Sequence, residues 1–521
     1  MDDNVSSVTI VGGGDAGLLT ALALRAVNPE LTVRVVDDFA ESPTTVGKST
    51  YRAIVPLLHD ALDIDEGRFM QAVKPIWKGS VYFKDWCGYE PFHYPFDDRS
   101  VKPTIGDPHS GESLYHYYET RNRTTPAEAI VDHRKTPLTY SATADYVAYP
   151  HVAYHLSLDR FNGFLRTLCE ERNVGLIDDR ITAVETSADR SRIKRIDGET
   201  TSYWSDLFVD ATGFDRLLIG ELESSYECFD IPLDTAIHGI AERSLADVVP
   251  STVVETGDCG WFWQIDTFDI RDRGYVFASE YISEEEALAE FEAHCDEDFL
   301  ETEVYHFDSG FYEEAWVGNC IANGNAVGFI EPLQSTALTT HGQTALWLSR
   351  LLDSHCRINN AGIRESFNTY VRGVWNSIYD FISVHYRFAD GDTDFWTDIQ
   401  SIPLSEKVHQ YIDYYDKNGI ELHDAELVDD AGHDLDLLTF PTSSLYRIMM
   451  HMGATSSFYE SHDIEVRDEI KERWRQRNAA AEAMAEECLT YEEVYNSGLV
   501  DSYSHNEQVF TQMGLSQIEG M

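Results

Sequence analysis

Residues 8–38 read VTIVGGGDAGLLTALALRAVNPELTVRVVDD. Val8 to Val11 is a short β-branched run, the composition of a buried parallel strand, and it stops at three consecutive glycines. Gly12, Gly14 and Gly17 have the spacing GxGxxG, and residues 16–26 are mostly Ala and Leu, strong helix formers. A second strand is expected over Leu31 to Val36, and Asp37 follows it, twenty residues after Gly17. Strand, glycine turn, helix and strand in this order form the dinucleotide unit. The glycines let a pyrophosphate approach the backbone, and the helix start offers it unpaired amides and a positive dipole end. Gly12, Gly14, Ala16 and Gly17 are therefore candidate cofactor contacts. The Asp37 carboxylate is placed to accept hydrogen bonds from an adenosine ribose, with Asp38 the weaker alternative. An ordinary turn without a ligand explains the glycines alone but not the acidic end of the second strand.

Outward from this unit, the chain has 521 residues, enough for a large core and two sequential or interleaved domains. Its 39 Lys and Arg against 91 Asp and Glu give 39 − 91 = −52, with only ten lysines. Such a charge repels nucleic acid phosphates and anionic membranes, which excludes both as main partners. Apolar residues at 43% and aromatics at 12% separate the chain from disordered polyanions. The composition predicts a folded protein with an acidic surface suited to a salty cytosol. Eight cysteines show no CxxC or other metal-ligand spacing, so no metal site is expected. The acidic N-terminus leads directly into a strand, and no apolar run approaches a membrane span, which reads as a cytoplasmic protein.

Further along, Gly47, Lys48, Ser49 and Thr50 imitate the end of a phosphate-binding P-loop, but that motif requires glycine where Ser42 stands. Gly47, Lys48 and Ser49 are expected instead as a second loop over the same dinucleotide. In PIWKGSVYFKDW (75–86), Lys78 sits among aromatics ahead of an alternating strand pattern, which predicts partial desolvation of its ammonium. A surface lysine that snorkels is the bland reading. The nearby aromatics, Tyr94 and Phe96 included, either fill a core or line a pocket for a flat substrate. Residues 105–147 read as loop and short helices, 154–173 as a helix, and 175–185 and 193–196 as strands. The run LFVDATGF (207–214) is another strand, bringing Asp210 and a glycine toward the dinucleotide. Trp261 and Trp263 share one face of a strand over 260–266. Strand 273–280 and helix 284–294 follow. Strand 320–322, a turn with Gly328 beyond it, and a helix from about Thr336 again aim first-turn amides at an anion. Residues 378–387 are expected to belong to a further helix and 467–489 to form another, with a more acidic, mainly helical composition beyond Asp390.

Nine ordered motifs carry a resemblance. They are GGGDAG (12–17), IWKGSVYF (76–83), YPF (94–96), AYHLSLDRF (153–161), DLFVDATGF (206–214), GWFWQI (260–265), GNAVGFIEPLQST (324–336), DFISVHY (380–386) and DTDFW (392–396). Together, over residues 8–403, they resemble the flavin-dependent tryptophan halogenases of the FAD-dependent monooxygenase superfamily. The resemblance implies a mixed α/β, Rossmann-like FAD-binding fold over 1–390, interleaved with substrate segments at about 75–150 and 225–315. A mainly helical region over 391–521 would cover the substrate pocket. It further implies FAD, delivered as FADH2 by a separate flavin reductase, and chloride or bromide. Lys78 matches the lysine that presents electrophilic halogen, delivered as hypohalous acid, to an aromatic substrate such as tryptophan, another indole or a phenol. Thr336 and Ala337 match the halide-binding stretch, and Tyr94, Phe96, Trp261, Trp263 and Glu331 match the surroundings of the substrate.

Three positions depart from the pattern. Gln334 stands where the family has its catalytic glutamate, Lys48 where it has the glutamate of a GVGEAT loop, and Asp266 where it has proline. A neutral amide can only hydrogen-bond, whereas a carboxylate can take a proton; one such group is worth about 100- to 10,000-fold in rate. Three outcomes follow: the substrate ring is activated enough to need less help, Glu331 or another carboxylate substitutes, or the fold serves a flavin monooxygenase or oxidoreductase reaction without halogen. A homodimer is compatible with the sequence but not written in it. The acidic balance has its own consequence: thermal unfolding followed by circular dichroism should shift to lower temperature as salt is withdrawn from molar concentration. Unchanged stability in dilute buffer would refute the adaptation to salt.

Overall fold

The computed structural model describes residues 5–39, 47–97, 124–140, 146–352, 360–419, 440, 442–461 and 468–502. Val8, Ile10, Val35 and Val36 have no exposed surface, so their strands are buried on both faces, as continuous apolar runs in a parallel sheet require. The chain divides into two compact units, each built from three separate stretches. One comprises Met1–Pro75, Leu156–Phe229 and His306–Asn376; the other comprises Ile76–His155, Asp230–Tyr305 and Ser377–Met521. The C-terminal region thus belongs to the same unit as the two interleaved stretches rather than standing as a separate domain.

In the first unit a six-stranded sheet has the order Gly175–Asp178, Thr32–Asp37, Ser7–Val11, Leu207–Asp210, Cys320–Ala322, Trp316–Val317. All neighbours are parallel except the last pair. Ser7–Val11 is central, with Val11 opposite both Val36 and Asp210, so the two acidic strand ends flank the glycine turn. Helix Asp15–Val27 follows the turn and buries Leu18, Leu19, Leu22 and Leu24 completely. Each such leucine contributes about 1.5–3 kcal/mol. Helices Leu158–Glu171 and Ala337–Leu351 pack against it. Asn323 ties this helix to the next, donating to Thr20 Oγ1 at 2.9 Å and to the His341 carbonyl at 3.0 Å.

In the second unit a seven-stranded sheet has the order Glu301–His306, Thr235–Glu242, Ile270–Phe277, Gly260–Asp266, Ser251–Gly257, Ser80–Asp85, Phe92–Pro95. From Thr235–Glu242 to Phe92–Pro95 its pairs are antiparallel apart from the parallel pair Ser251–Gly257 and Ser80–Asp85. The short strand Ile76–Lys78 pairs with Ala153–Ser157, setting Lys78 opposite Ala153 and Ile76 opposite His155. Helices Glu284–His294, Asp394–Ile399, Glu406–Asn418, Thr442–His451, Asp468–Glu487 and Tyr491–Ser497 complete this unit.

Three expectations are corrected. Residues 154–157 belong to strand Ala153–Ser157, and the helix starts at Leu158; the alternation of Tyr154 and Leu156 precedes the helical spacing. Gly47–Ser49 is a strand, not a loop. The span read as loop and short helices holds helix Pro126–Asp132 and the hairpin Leu138–Tyr140 with Tyr146–Ala148, while 105–123 and 141–145 lie outside the described residues. Thr125 and Glu128 form a capping box there, with Pro126 at the first helical position, signals that reading by periodicity passes over. Residues 378–387 belong to a helix as expected, Ala361–Arg387.

The glycines of the turn differ in what they do. A Cβ on Gly17 would lie 1.9 Å from the Gly12 carbonyl oxygen, and a Cβ on Gly12, whose φ is +107°, 2.2 Å from that of Ala211. A Cβ on Gly14 would meet nothing within 4 Å. Gly17→Ala should therefore lose about 1–3 kcal/mol, as overpacking against backbone does, while Gly14→Ala leaves stability intact. Urea midpoints at unchanged slope are the readout.

Candidate active site

Above the glycine turn the first unit presents an open floor. Gly14 precedes helix Asp15–Val27 without a side-chain cap and faces empty space. Asp37 Oδ2 accepts from the Gly13 amide at 2.9 Å, so the expected ribose acceptor also braces the turn. Burial pushes the Asp37 carboxyl up, against the pull of that amide. Arg166, from helix Leu158–Glu171, lies 5.0 Å from the Phe39 ring centroid, and its buried Nε has no hydrogen-bond partner. Asp210, a predicted cofactor contact, is fully buried and committed to its own loop. Its Oδ1 accepts from the Thr212 amide and hydroxyl at 3.0 and 2.7 Å, and its Oδ2 from the Leu218 and Ile219 amides at 2.7 and 2.8 Å. Gly328 is likewise a packing glycine: a Cβ there would sit 2.6 Å from that of Phe311. Gly47 and Ser49 are buried, and Lys48 Nζ stands 3.7 Å from Asp15 Oδ2.

A second group of residues surrounds the start of helix Ala337–Leu351. Glu331, Gln334, Ser335 and Thr336 are all buried. Ser335 has φ +56°, a left-handed conformation that costs a non-glycine residue and needs enforcement by its surroundings. The Ser335 amide donates to the Pro332 carbonyl at 2.9 Å, and the Leu333 amide to Glu331 Oε2 at 3.0 Å. Thr336 occupies the cap position with no side-chain hydrogen bond to the first turn, and Ala337 is the first helical residue. Uncapped first-turn amides favour an anion. Deeper in the unit, Thr339 Oγ1, Thr340 Oγ1, both His341 ring nitrogens, Asn323 Oδ1 and Asn325 Oδ1 are buried without hydrogen-bond partners. Buried polar atoms of this kind are normally satisfied, so a ligand rich in hydroxyls and heteroatoms fits. FAD is such a ligand.

The second unit holds Lys78. It has no exposed surface, and burial holds its ammonium well below the usual lysine range. Its Nζ lies 5.2 Å from the Phe96 ring centroid. Phe96 stands edge-on to Tyr94, whose hydroxyl donates to Ser444 Oγ at 2.7 Å and whose ring lies 5.8 Å from that of Phe381. Phe381 in turn stacks on Phe440 at 4.0 Å. The predicted Phe96 thus stands beside Lys78, and Tyr94 beside Phe96. Phe381, Phe440 and Ser444 join them without any spacing that announces it. Trp77 points elsewhere, against Tyr491 and Tyr495.

Two strands away, Trp261 and Trp263 have ring centroids 6.1 Å apart. Trp263 Nε1 donates to Asp272 at 2.7 Å and its ring fills the space that a Cβ on Gly274 would take, a structural role. Trp261 is buried with its Nε1 unpartnered. Asp266 is fully buried in a fork with Arg271, at 2.8 and 3.1 Å, and accepts from the Val249 amide at 2.8 Å. Its carbonyl meets His155 Nδ1 at 3.1 Å, while His155 Nε2 meets Thr252 Oγ1 at 3.0 Å. Burial, then the charge of Lys78, drive the His155 ring well below the usual histidine range, so it is neutral beside the lysine.

The family model for tryptophan halogenases matches residues 7–463 of this chain. The chain belongs to the tryptophan halogenase family. It is 27% identical over 501 residues to the 7-chloro-L-tryptophan 6-halogenase KtzR of Kutzneria sp. (strain 744), covering 86% of this chain and 90% of that one. It is 26% identical over 456 residues to the tryptophan 7-halogenase RebH of Lentzea aerocolonigenes, covering 80% and 82%. Among solved structures, BrvH, a flavin-dependent halogenase from Brevundimonas sp. BAL3, superimposes with a TM-score of 0.79 at 25% identity, over 95% of this chain and all of that one. MibH, a tryptophan 5-halogenase, gives 0.80 at 26% identity over 99% of each chain. Within this tryptophan halogenase, each predicted site residue now has a place, the flavin and halide candidates in the first unit and Lys78 with its aromatics in the second.

The depressed lysine has a measurable sign. In the unfolded chain Lys78 takes a proton below about pH 10.4, whereas the folded chain resists taking it. The unfolded state therefore binds more protons in that window, and stability rises with pH through it. Lys78→Met should be more stable than the wild type at neutral pH, and the gap should close as pH climbs toward 10. Paired urea titrations at pH 7 and 9.5 read this directly.

Proposed function

We propose that this flavin-dependent halogenase installs chlorine or bromine on an electron-rich aromatic ring, an indole such as tryptophan or a phenol. The observation that carries the reading is a lysine with no exposed surface set over the face of Phe96, which itself stands against Tyr94. Gly12, Gly14, Ala16, Gly17 and Asp37 would hold the dinucleotide half of FAD, with Gly47, Lys48, Ser49, the Asp210 loop and the Gly328 segment around it. Thr336 and Ala337 would hold the halide. Bound reduced FAD supplies the electrons with which oxygen converts halide to hypohalous acid.

Lys78 does the rest. Desolvation favours the uncharged, nucleophilic form of the amine. Its lone pair takes the halogen from hypohalous acid, the nitrogen–halogen bond forming as the oxygen–halogen bond breaks, and hydroxide leaves with an amine proton as water. The ring then attacks the halogen and returns a proton to the nitrogen, which restores the amine. Tyr94, Phe96 and Trp261 would border the ring, while Trp263 supports the strand. Gln334, buried and uncharged, can hold a group by hydrogen bond but takes no proton. The ring must then supply its own activation, which is why indoles and phenols are the substrates favoured. A separate flavin reductase and a high-salt cytosol complete the setting.

Reactions with FAD, a flavin reductase, NADH, oxygen and molar bromide or chloride, on a panel of indoles and phenols, should give halogenated product by mass spectrometry. Lys78→Ala should abolish it, and rings without an activating nitrogen or hydroxyl should not react. Hydroxylated product or peroxide alone, with or without Lys78, would instead establish a monooxygenase of the same ancestry.

A further inference from the structure

A dinucleotide cradle turns a helix N-terminus toward two phosphate charges, yet the first residue of that helix here is an acid. Asp15 opens helix Asp15–Val27, and its Oδ1 accepts from the Ala16 amide at 2.7 Å. That amide belongs to the first turn, among those a phosphate uses. Asp15 Oδ2 has no hydrogen-bond partner. Two basic groups face the carboxylate without bonding to it. Lys48 Nζ is 3.7 Å from Oδ2, and His341 Nδ1 is 3.7 Å from Oδ1. The His341 side chain is 3% exposed, and neither ring nitrogen has a hydrogen-bond partner. Asp15 and Lys48 are 16% and 24% exposed, so they border the open side of the cradle rather than the core. Gly324 connects the cluster to the turn: a Cβ there would lie 2.6 Å from that of Ala16 and 3.9 Å from His341 Cε1.

We propose that Asp15, Lys48 and His341 form a charge-compensated gate on the FAD pyrophosphate, in which Asp15 loosens the cofactor and Lys48 restores the hold. The inference rests on the reading that this chain binds FAD. At 3.7 Å the two groups attract by charge without a hydrogen bond, and Lys48 helps hold the Asp15 carboxyl well below the usual carboxylate range. The pair's place beside the helix start gives it a further consequence. A carboxylate next to a phosphate site repels the ligand, and a cation shared between carboxylate and phosphate cancels the repulsion. The chain has only ten lysines against a net charge of −52, and one of them stands here. The arrangement suits a flavin that must be taken up reduced and released oxidised at each turnover, because neither form is gripped as a permanent group.

The test is a double-mutant cycle on FAD affinity, read by flavin fluorescence quenching of the apoprotein at fixed salt, with melting curves of each apo variant. Asp15→Asn keeps the acceptor for the Ala16 amide and should tighten FAD about tenfold; Lys48→Met should weaken it about tenfold; the double variant should return to within about threefold of wild type. Lys48→Arg should keep wild-type affinity. Weaker binding in Asp15→Asn, or both single variants within twofold of wild type, would overturn the gate. Wild-type apoprotein that takes up no FAD would overturn the cofactor reading itself.

Discussion

The first unit hangs on a backbone contact that only glycine permits. Strand Ser7–Val11 lies between Thr32–Asp37 and Leu207–Asp210, and where it ends the chain must turn tightly enough to start a helix over the sheet. Gly17 sits against the Gly12 carbonyl, and Gly12 against that of Ala211. Two strand-end carboxylates secure the surroundings, Asp37 on the turn and Asp210 on its own loop. Every candidate flavin contact is downstream of this packing, because the amides of the helix point outward only when the turn closes. The orphaned polar atoms of Thr339, Thr340, His341, Asn323 and Asn325 mark the price of a cradle built for a ligand.

In the second unit the governing constraint is desolvation. Strand Ile76–Lys78 is pinned by its pairing with Ala153–Ser157, and that register leaves Lys78 no path to water. A lysine so placed costs folding energy, and its retention is intelligible as chemistry rather than packing. His155 shares its side of the strand pair and stays neutral, so no second positive charge competes with the amine. Strain at Ser335 in the other unit has the same character: a non-glycine residue in a left-handed conformation is tolerated where the chain must present a helix start.

The departures from the family pattern are of unequal weight. Asp266 in place of proline is absorbed structurally, since Arg271 and the Val249 amide satisfy its carboxylate. Lys48 in place of glutamate stands 3.7 Å from Asp15 at the head of the first helix, where its charge faces an acid. Gln334 differs in kind, since it is buried and brings an uncharged amide where the family pattern has a carboxylate.

The sequence by itself determined the βαβ unit, the parallel strands around it, the acidic composition and the lysine among aromatics, because each is a local pattern: a run of β-branched residues, a glycine spacing, a hydrophobic period. It also determined membership in the family, because ordered motifs survive where overall identity is low. It did not separate residues that touch a ligand from residues that hold the fold. Only the tertiary structure showed how Asp210 is held by the amides of its own loop, Gly328 by the packing of Phe311 and Trp263 by the neighbouring strand, because motif spacing does not report which groups a side chain meets. It alone brought Phe381, Phe440 and Ser444 to Tyr94, and His341 to Asp15, across hundreds of residues. Hydrophobic period and motif spacing report neighbours within one element. Which elements meet is set by packing of the whole unit, and a side chain's chemistry follows from what it meets there.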